Sequence, residues 1–163
     1  MYKASIRALM RYSVKKLNGG DPSLLLKMAA PGVELAFPGD NSWAASYRPV
    51  VKGRERHATH VGISEVRGFA QRFVDEGIQF VIEDILVNGP PWNTRIALIV
   101  HGFIPGTDDH DRYNNRAVAV INVRWGRLVS WEDYEDTERV AAFDRQGAAP
   151  RSNNSCFTPD AIL

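Results

Sequence analysis

Four carboxylates and two large aromatic side chains fall within the six residues WEDYED at positions 131–136. Acidic residues are poor strand formers, yet these directly follow GRLVS, which alternates as a strand does. Successive strand side chains point to opposite faces, so Trp131, Asp133 and Glu135 share one face and Glu132 takes the other. A carboxyl group buried against apolar rings has a raised pKa and can act as a general acid or base near neutral pH. The segment therefore predicts acid–base chemistry at Asp133, or else an aspartate that caps a neighbouring backbone or pairs with an arginine.

The last acids of this region have a structural interpretation. Asp136 directly precedes Thr137, where the spacing predicts a helix over TERVAAF (137–143). A carboxylate at a helix N-terminus accepts hydrogen bonds from free backbone N–H groups and interacts favourably with the helix dipole. Asp136 and Glu138 are therefore expected to cap this helix.

Three other side chains could handle a substrate oxygen or proton. Tyr12 can donate a hydrogen bond to a developing oxyanion, or it packs at the core edge with its hydroxyl satisfied locally. Asn115 can donate and accept, which suits a carbonyl compound, or it bonds to Asp133 or to backbone. His101 has the parity of an outward-facing strand residue, but Gly102 suggests a bulge that could turn it inward. We therefore expect His101 either in a dyad with Asp133 or on the outer face.

Other kinds of site find little support in the sequence. His57, His60 and His110 lack the number and spacing of ligands that a metal site needs. The chain has no Walker loop, no GxGxxG motif and no GxSxG nucleophile elbow. We therefore expect no metal and no cofactor. The basic run over residues 48–56 is expected to be a solvated loop, or a recognition site for an acidic ligand or partner.

The composition indicates one ordinary globular domain. The 163 residues suit a single core. With 44% apolar residues and a formal net charge of +1, nothing points to nucleic acid or an anionic membrane as a partner. The single cysteine, Cys156, excludes an internal disulfide and favours a reducing compartment. The first residues lack the apolar stretch of a signal peptide, and no apolar run is long enough to span a membrane. We expect a cytoplasmic protein.

The order of the predicted elements indicates an α+β fold. Apolar spacing predicts a helix before NGGD (18–21), a short helix from Pro22 and a helix at 63–77 capped by Ser64. A strand is expected at VELAF (33–37), followed by a long loop at 38–62 with RPVVKG as an optional strand. After Gly77 the period becomes two, which predicts antiparallel strands at 78–87, 94–104, 112–124 and 127–136. This order places helices on one face of a curved antiparallel sheet. Residues 144–163 are expected to be a mobile tail, or an arm over a partner.

Two segments, RYSVKKLNGGD (11–21) and RYNNRAVAVINVRWGRLVSWEDYEDTERV (112–140), resemble the nuclear transport factor 2-like, or SnoaL-like, superfamily. Its sequences have an aromatic-x-Asn strand start, a hydrophobic strand, a glycine turn and an aromatic-rich strand ending Tyr-x-Asp. Here these are Tyr113-Asn114-Asn115, Gly126 and Tyr134-Glu135-Asp136. The group includes polyketide cyclases, ketosteroid isomerases and limonene-epoxide hydrolases. The match runs over about residues 3–143, so 1–143 are expected to form one SnoaL-like domain and 144–163 a tail.

The resemblance implies a cone-shaped, cystatin-like domain with a pocket between the helices and the concave sheet face, and a homodimer through the other face. In the epoxide hydrolases of this group the Asp of an aromatic-x-Asp-Tyr segment is catalytic, and Asp133 occupies that place. This match turns Asp133 towards the pocket, and alternation turns Val129 the same way. The other residues expected to line the pocket are Phe37, Trp43, Tyr47, Phe69, Phe73, Asn115, Ala117, Ala119, Trp131 and Glu135.

The sequence departs from both enzyme patterns. The hydrolases carry an Arg-x-Asp pair on the preceding strand, and the matching segment here is the uncharged VHG at 100–102. Their Tyr and Asn on the first strand fall near Leu35 and Phe37. Tyr12 matches the tyrosine donor of the isomerases, but Phe37 and Ala119 stand at their two carboxylate positions. The resemblance therefore implies a fold and a pocket without selecting one reaction.

These expectations describe a cofactor-independent isomerase, cyclase or hydrolase acting on a small hydrophobic carbonyl, enol or epoxide compound. Asp133 would move the proton, while Tyr12 and Asn115 would orient the oxygen. One alternative is a non-catalytic member of the same fold that binds a ligand in the cavity or a protein on the sheet. Another is a subunit whose tail stabilises an oligomer.

Overall fold

The structure is a computed structural model that describes residues 1–39, 43, 58–107 and 110–148. Tyr47, the basic run at 48–56, the optional strand RPVVKG and residues 149–163 lie outside the described residues. Within this part of the chain the helices are α1 (Tyr2–Asn18), α2 (Ser23–Met28), α3 (Ile63–Asp75) and α4 (Thr137–Ala148). The strands are β1 (Ala29–Phe37), β2 (Ala58–Val61), β3 (Gln79–Asn88), β4 (Thr94–Ile104), β5 (Tyr113–Arg124) and β6 (Arg127–Glu135).

The described strands form one six-stranded sheet in the order β2-β1-β6-β5-β4-β3. The meander from β3 to β6 is antiparallel, as the change of period after Gly77 predicts. Strand β1 pairs parallel with β6 on one side and antiparallel with β2 on the other. The α+β architecture expected from the sequence is therefore confirmed. The parallel pairing joins the first strand to the last, which places β1 beside the strand that carries WEDYED.

The helices α1, α2 and α3 contribute their apolar side chains to the core on the inner face of the sheet. Helix α1 buries one stripe at helical spacing, namely Ile6, Met10, Val14 and Leu17. Helix α3 buries Val66, Phe69, Ala70 and Phe73 in the same way. Gly62, with φ of 110°, precedes α3, and no side chain caps the helix. The predicted Ser64 cap is therefore wrong, because Ser64 already lies inside the first turn.

The other helix ends bear on the segment that carries the acids. Asp136 accepts hydrogen bonds from the backbone N–H groups of Glu138 and Arg139, at 3.1 and 3.3 Å. The predicted role of Asp136 as a cap is confirmed. Helix α4 continues to Ala148, so the first residues of the expected tail extend the helix. None of the helices in the described ranges has the length and apolar character needed to cross a bilayer.

Two bulges set which side chains face inward. Val129 is an extra residue in β6, between the pairs Asn122–Ser130 and Val123–Leu128. Leu128 therefore joins Trp131 on the inner face, and the inward facing expected for Val129 is wrong. A second bulge lies in β3 between Ile82 and Asp84, and the register of β4 with β5 runs without interruption through Gly102. The bulge expected at Gly102 is therefore wrong as well.

Candidate active site

A small cavity of about 40 Å³ lies between helix α3 and the inner face of the sheet. It combines two carboxylates with a wall of aromatic and aliphatic side chains. This volume suits one or a few water molecules, so a substrate must displace a wall residue to enter. The lining comprises Phe37, Trp43, Phe69, Phe73, Ile78, Phe80, Tyr113, Asp133 and Glu135.

The two carboxylates are placed by the register of β5 with β6. Asp133 pairs with Ala119, and Glu135 pairs with Ala117. Because they lie two residues apart on one strand, both side chains point to the inner face. Ala117 and Ala119, both expected in the pocket, pair with these carboxylates in the sheet but are not among the residues that line the cavity.

Asp133 lies against the aromatic wall and next to Glu135. Its side chain is half-buried, and its carboxylate lines the cavity. Trp131 donates a hydrogen bond from its indole Nε1–H to Oδ1 of Asp133 at 2.6 Å. Burial raises the pKa of Asp133 to about 8, the negative charge of Glu135 raises it as well, and the Trp131 hydrogen bond lowers it. The protonated form of Asp133 is therefore populated at neutral pH.

Glu135 is held by polar neighbours on β5. Its Oε2 lies 3.4 Å from Oη of Tyr113 and 3.4 Å from Nδ2 of Asn115. Burial raises the pKa of Glu135 to about 7, while hydrogen bonds from Tyr113 and Asn115 lower it. Burial and the charge of Glu135 in turn raise the pKa of Tyr113 above its usual range. Tyr113 therefore stays protonated, and its hydroxyl donates to Glu135 at the edge of the cavity.

Asn115 is a buried residue of β5 that forms hydrogen bonds with two residues of the cavity lining, Tyr113 and Glu135. The side chain is buried, and its Nδ2 donates to Oη of Tyr113 at 3.0 Å and to the backbone oxygen of Asp136 at 3.1 Å. Its Oδ1 accepts the backbone N–H of Arg116 at 2.9 Å. Both N–H donors of the amide are thereby used within the protein. Asn115 therefore contacts Tyr113, Glu135 and backbone, and it is not among the residues that line the cavity.

Aromatic rings close the cavity on the side of β1 and α3. Phe37 lies within ring contact of Trp43 and Phe69, with centroids 6.1 and 5.5 Å away. The guanidinium of Arg72 stands 3.8 Å above the Trp43 ring, a cation–π contact that holds the indole at the wall. Opposite them, the ring of Phe80 lies over Gly102, where an added Cβ would come within 3.0 Å of it. Glycine at 102 thus makes room for a lining residue.

Two predicted catalytic residues lie away from this cavity. Tyr12 is 53% exposed on α1, because it falls off the buried stripe of that helix. His101 pairs with Arg116 and Val81 on the outer face of the sheet, opposite to Asp133. The structure therefore brings neither Tyr12 nor His101 to Asp133. The alternative expectation for His101, a place on the outer face, is what the structure has.

Sequence reasoning missed three lining residues, namely Tyr113, Ile78 and Phe80. A signal for Tyr113 was present, because it has the same strand parity as Asn115, which was expected to face inward. Phe80 could have been found through Gly102, since a glycine in a strand interior often marks the close approach of another group. Ile78 follows the glycine that ends α3 and gave no distinct signal.

A second cavity, of about 20 Å³, lies on the other side of Trp131. The Trp131 side chain lines this cavity, while its Nε1 contacts Asp133 at the first cavity. Phe69 lies 6.0 Å from Trp131, ring to ring, and completes the partition. The second cavity is almost wholly apolar and is lined by Met10, Ser13, Val14, Leu17, Leu25, Met28, Ile121, Val123, Leu128 and Trp131.

The arrangement can carry a proton between two positions. The charge of Glu135 raises the pKa of Asp133, so the two titrations are coupled; near neutral pH Asp133 is the protonated group and Glu135 the one that ionises first. Such a pair provides an acid and a base in one apolar site. Among the described residues, no group of three or more His, Cys, Asp or Glu side chains could hold a metal ion.

Comparison with known proteins addresses the fold. No family model and no curated protein sequence match this chain. Bal32a, from a soil-derived mobile gene cassette, has a TM-score of 0.63 and 16% identity over 85% of this chain and 95% of its own. A nuclear transport factor 2-like protein of unknown function from Burkholderia pseudomallei gives 0.63 and 18% over 85% and 95%. Another from Mesorhizobium loti gives 0.56 and 19% over 80% and 89%. The chain therefore has the nuclear transport factor 2-like fold that its C-terminal hairpin predicts.

Proposed function

We propose that the cavity performs cofactor-independent acid–base catalysis on a small hydrophobic carbonyl or enol compound, and that the reaction is an isomerisation by proton transfer. The observation that carries this proposal is the pair Asp133 and Glu135, whose pKa values are raised to about 8 and about 7 in an aromatic-walled cavity. A carboxyl group with a pKa near the working pH is suited to both halves of a proton transfer.

The steps follow from the positions of the groups. The ionised carboxylate of the pair removes a proton from a carbon next to the carbonyl, and an enolate forms. The protonated carboxyl stabilises negative charge on the substrate oxygen, and the Tyr113 hydroxyl joins it by turning its O–H from Glu135 to that oxygen when substrate is bound. The captured proton then returns to a different carbon, so the product is an isomer and both carboxyl groups recover their initial states. The apolar wall excludes water and strengthens each of these interactions.

Cyclisation and epoxide hydrolysis need the same acid–base pair with additional parts. A cyclisation uses the enolate as a nucleophile within the same substrate. Hydrolysis of an epoxide needs a held water molecule, and the strand segment at 100–102 supplies no charged group for it. Isomerisation is therefore the reaction that needs the fewest groups beyond the acid–base pair.

Exchange of substrate hydrogens with deuterated water tests the proposal without knowledge of the natural substrate. Small cyclic and branched ketones are first ranked by thermal shift, since a ligand of the folded state raises the unfolding temperature. Each binder is then incubated in D₂O, and loss of the α-proton signal is followed by NMR. Wild-type protein is expected to accelerate exchange and Asp133→Asn to slow it by about ten-fold or more, because the acid of the pair is lost, while Glu132→Gln on the other face of the strand leaves it intact. Equal exchange rates for wild type and Asp133→Asn would contradict the proposal.

The small cavity volume favours a second candidate function, a non-catalytic ligand-binding protein. In that case the two carboxyls and Tyr113 would only fix the orientation of a polar ligand group. The same experiment separates the two functions. Thermal stabilisation by a ketone without any exchange in wild-type protein is the result expected of a binding protein.

The outer face of the sheet supports a homodimer as the assembly in which the site acts. Strands β4 and β5 present half-buried apolar side chains there, at Ile99, Phe103, Val118 and Val120. Burial of such a patch against a second copy is favourable by the hydrophobic effect. We expect sedimentation to give the mass of a dimer and Val118→Lys to give a monomer. A monomer in wild type would contradict this part of the proposal.

A further inference from the structure

Two tryptophans stand side by side at one end of the sheet, far along the strands from the carboxylates. Trp92 lies in the β3–β4 turn and Trp125 in the β5–β6 turn, and they are 57% and 72% exposed. Their ring centroids are 5.9 Å apart at an interplanar angle of 39°. The backbone N–H of Trp125 donates to the backbone oxygen of Pro91 at 2.8 Å, which ties the two turns together. We call Pro90, Pro91, Trp92 and Trp125 the hairpin-tip surface.

The backbone at Trp125 is unfavourable for a tryptophan. Its φ of 49° is followed by a φ of 77° at Gly126, as in a two-residue turn with two left-handed positions. Asn-Gly and Asp-Gly are the preferred sequences there, since bulky side chains are disfavoured at positive φ. A residue that strains the turn and exposes its ring to water is not explained by folding. Strain of this kind is a reason to look for a function at the position.

The surroundings of the hairpin-tip surface carry positive charge. Arg124 and Arg127 pair across the turn that holds Trp125, and Arg95 lies close to the β3–β4 turn on the next strand. All three side chains are exposed. The sequence has no Asp or Glu from 85 to 107 or from 112 to 131. The two hairpins that carry the tryptophans therefore place three arginines and no acidic residue at this end of the sheet.

An apolar groove continues the surface next to the turn. It is lined by Leu9, Leu24, Lys27, Met28, Gly126 and Arg127. The groove thus combines aliphatic side chains with two cations. It brings apolar surface from α1 and α2 to the same end of the sheet as the exposed tryptophans.

We propose that the hairpin-tip surface docks on an anionic lipid bilayer. Tryptophan favours the membrane interface, where its apolar ring is buried at the level of the headgroups. Arginines within reach of an anionic surface add attraction that salt screens. Both tryptophans lie on turns at the end of the sheet, where a planar partner can contact the two exposed rings and the neighbouring arginines together. This inference stands independently of the reaction in the cavity.

Vesicle binding tests the inference on the full chain. Sedimentation with vesicles of phosphatidylcholine alone is compared with vesicles that also contain phosphatidylserine. Wild-type protein is expected to bind the anionic vesicles and to lose binding at high salt. Trp125→Asn is the decisive variant, because asparagine suits the turn and should preserve or raise the unfolding temperature. Its partition coefficient should fall by about ten-fold or more, and Arg124→Gln should lower it by about five-fold.

The control is Tyr12→Ala, which removes an exposed aromatic side chain on α1 and should leave vesicle binding unchanged. Trp92→Ala provides a second test of the surface should Trp125→Asn fail to fold. Absence of binding to anionic vesicles, or equal binding by wild type and both tryptophan variants, would overturn the proposal. So would a result in which Trp125→Asn abolishes binding to a single-stranded DNA oligomer, or self-association, while vesicles are not bound.

Discussion

Trp131 and Asp133 lie on the same face of strand β6 and are joined by a hydrogen bond of 2.6 Å from the indole Nε1–H to Oδ1. The contact links two cavities, because the Trp131 ring lines the apolar one and Asp133 lines the one with carboxylates. It also opposes the effect of burial on Asp133, since a hydrogen bond to a carboxylate favours its ionised form. The pKa of Asp133, which burial chiefly raises, is thus lowered in part by a residue that lines the other cavity.

Replacement of Trp131 by phenylalanine keeps an aromatic ring and removes the N–H donor. The pKa of Asp133 is expected to rise above its wild-type value, because the hydrogen bond that lowers it is gone. Stability should fall by about 1 kcal/mol for the lost bond. A carboxyl carbon titration by NMR measures the pKa, and Trp92→Phe at the distant turn is the control. A lower pKa in Trp131→Phe would show that the bond does not act in this way.

The stability of the protein is expected to fall as the pH rises through neutrality. Asp133 and Glu135 have higher pKa values in the folded than in the unfolded chain, so the folded state binds more protons between about pH 4 and the folded values of about 8 and about 7. The free energy of unfolding therefore decreases across this window. Asp133→Asn has no proton to lose, so its stability relative to wild type should rise by on the order of 3 kcal/mol from about pH 5 to about pH 9.

Urea denaturation at both pH values measures this difference. Glu132→Gln, on the other face of β6, should keep the pH dependence of wild type. If Asp133→Asn and wild type lose stability in parallel, the carboxyl at 133 is ionised throughout the window and its pKa is not raised.

Tyr113 and Tyr12 provide a matched pair of tests for the oxygen-binding donor. Tyr113→Phe removes the hydroxyl that faces the cavity and should lower the rate of substrate proton exchange by on the order of ten-fold to a hundred-fold. Tyr12→Phe alters a side chain that is 53% exposed on α1, so the exchange rate should stay within about two-fold of wild type. A larger loss in Tyr12→Phe than in Tyr113→Phe would reverse the assignment.

Asn115 is expected to act through position rather than by contact with substrate. Asn115→Ala removes the donor that holds Tyr113 and leaves buried acceptors without partners, so stability should fall by about 1–3 kcal/mol. The pKa of Glu135 should also rise, since the Asn115 hydrogen bond lowers it. Asn114→Ala, at the exposed neighbour, should change stability by about 0.5 kcal/mol or less. Equal unfolding free energies for the two variants would contradict this role.

The parts of the site that could be predicted depend on short-range rules. Alternation along β6 placed Asp133 and Glu135 on one face, and the start of α4 assigned Asp136 to a cap. Long-range packing decided the rest. Gly102 was interpreted as a bulge because the sequence does not show that the ring of Phe80, from a neighbouring strand, lies over it.

Tyr12 shows where a motif match and a physical pattern disagreed. Its surroundings match the tyrosine donor of the isomerases, but the buried stripe Ile6, Met10, Val14 and Leu17 turns position 12 outward. The tyrosine whose side chain lines the cavity is Tyr113, at the start of β5. The parallel pairing of β1 with β6 was also beyond prediction, because no local signal specifies which distant strands become neighbours.

The most direct test of the account is a titration of the wild-type carboxyl groups at 133 and 135 by carbon NMR. The account predicts coupled transitions in the range of about 7 to about 8 for this pair. Transitions for both groups below about pH 5, where ordinary aspartates and glutamates titrate, would contradict it and would remove the basis for acid–base catalysis in this cavity.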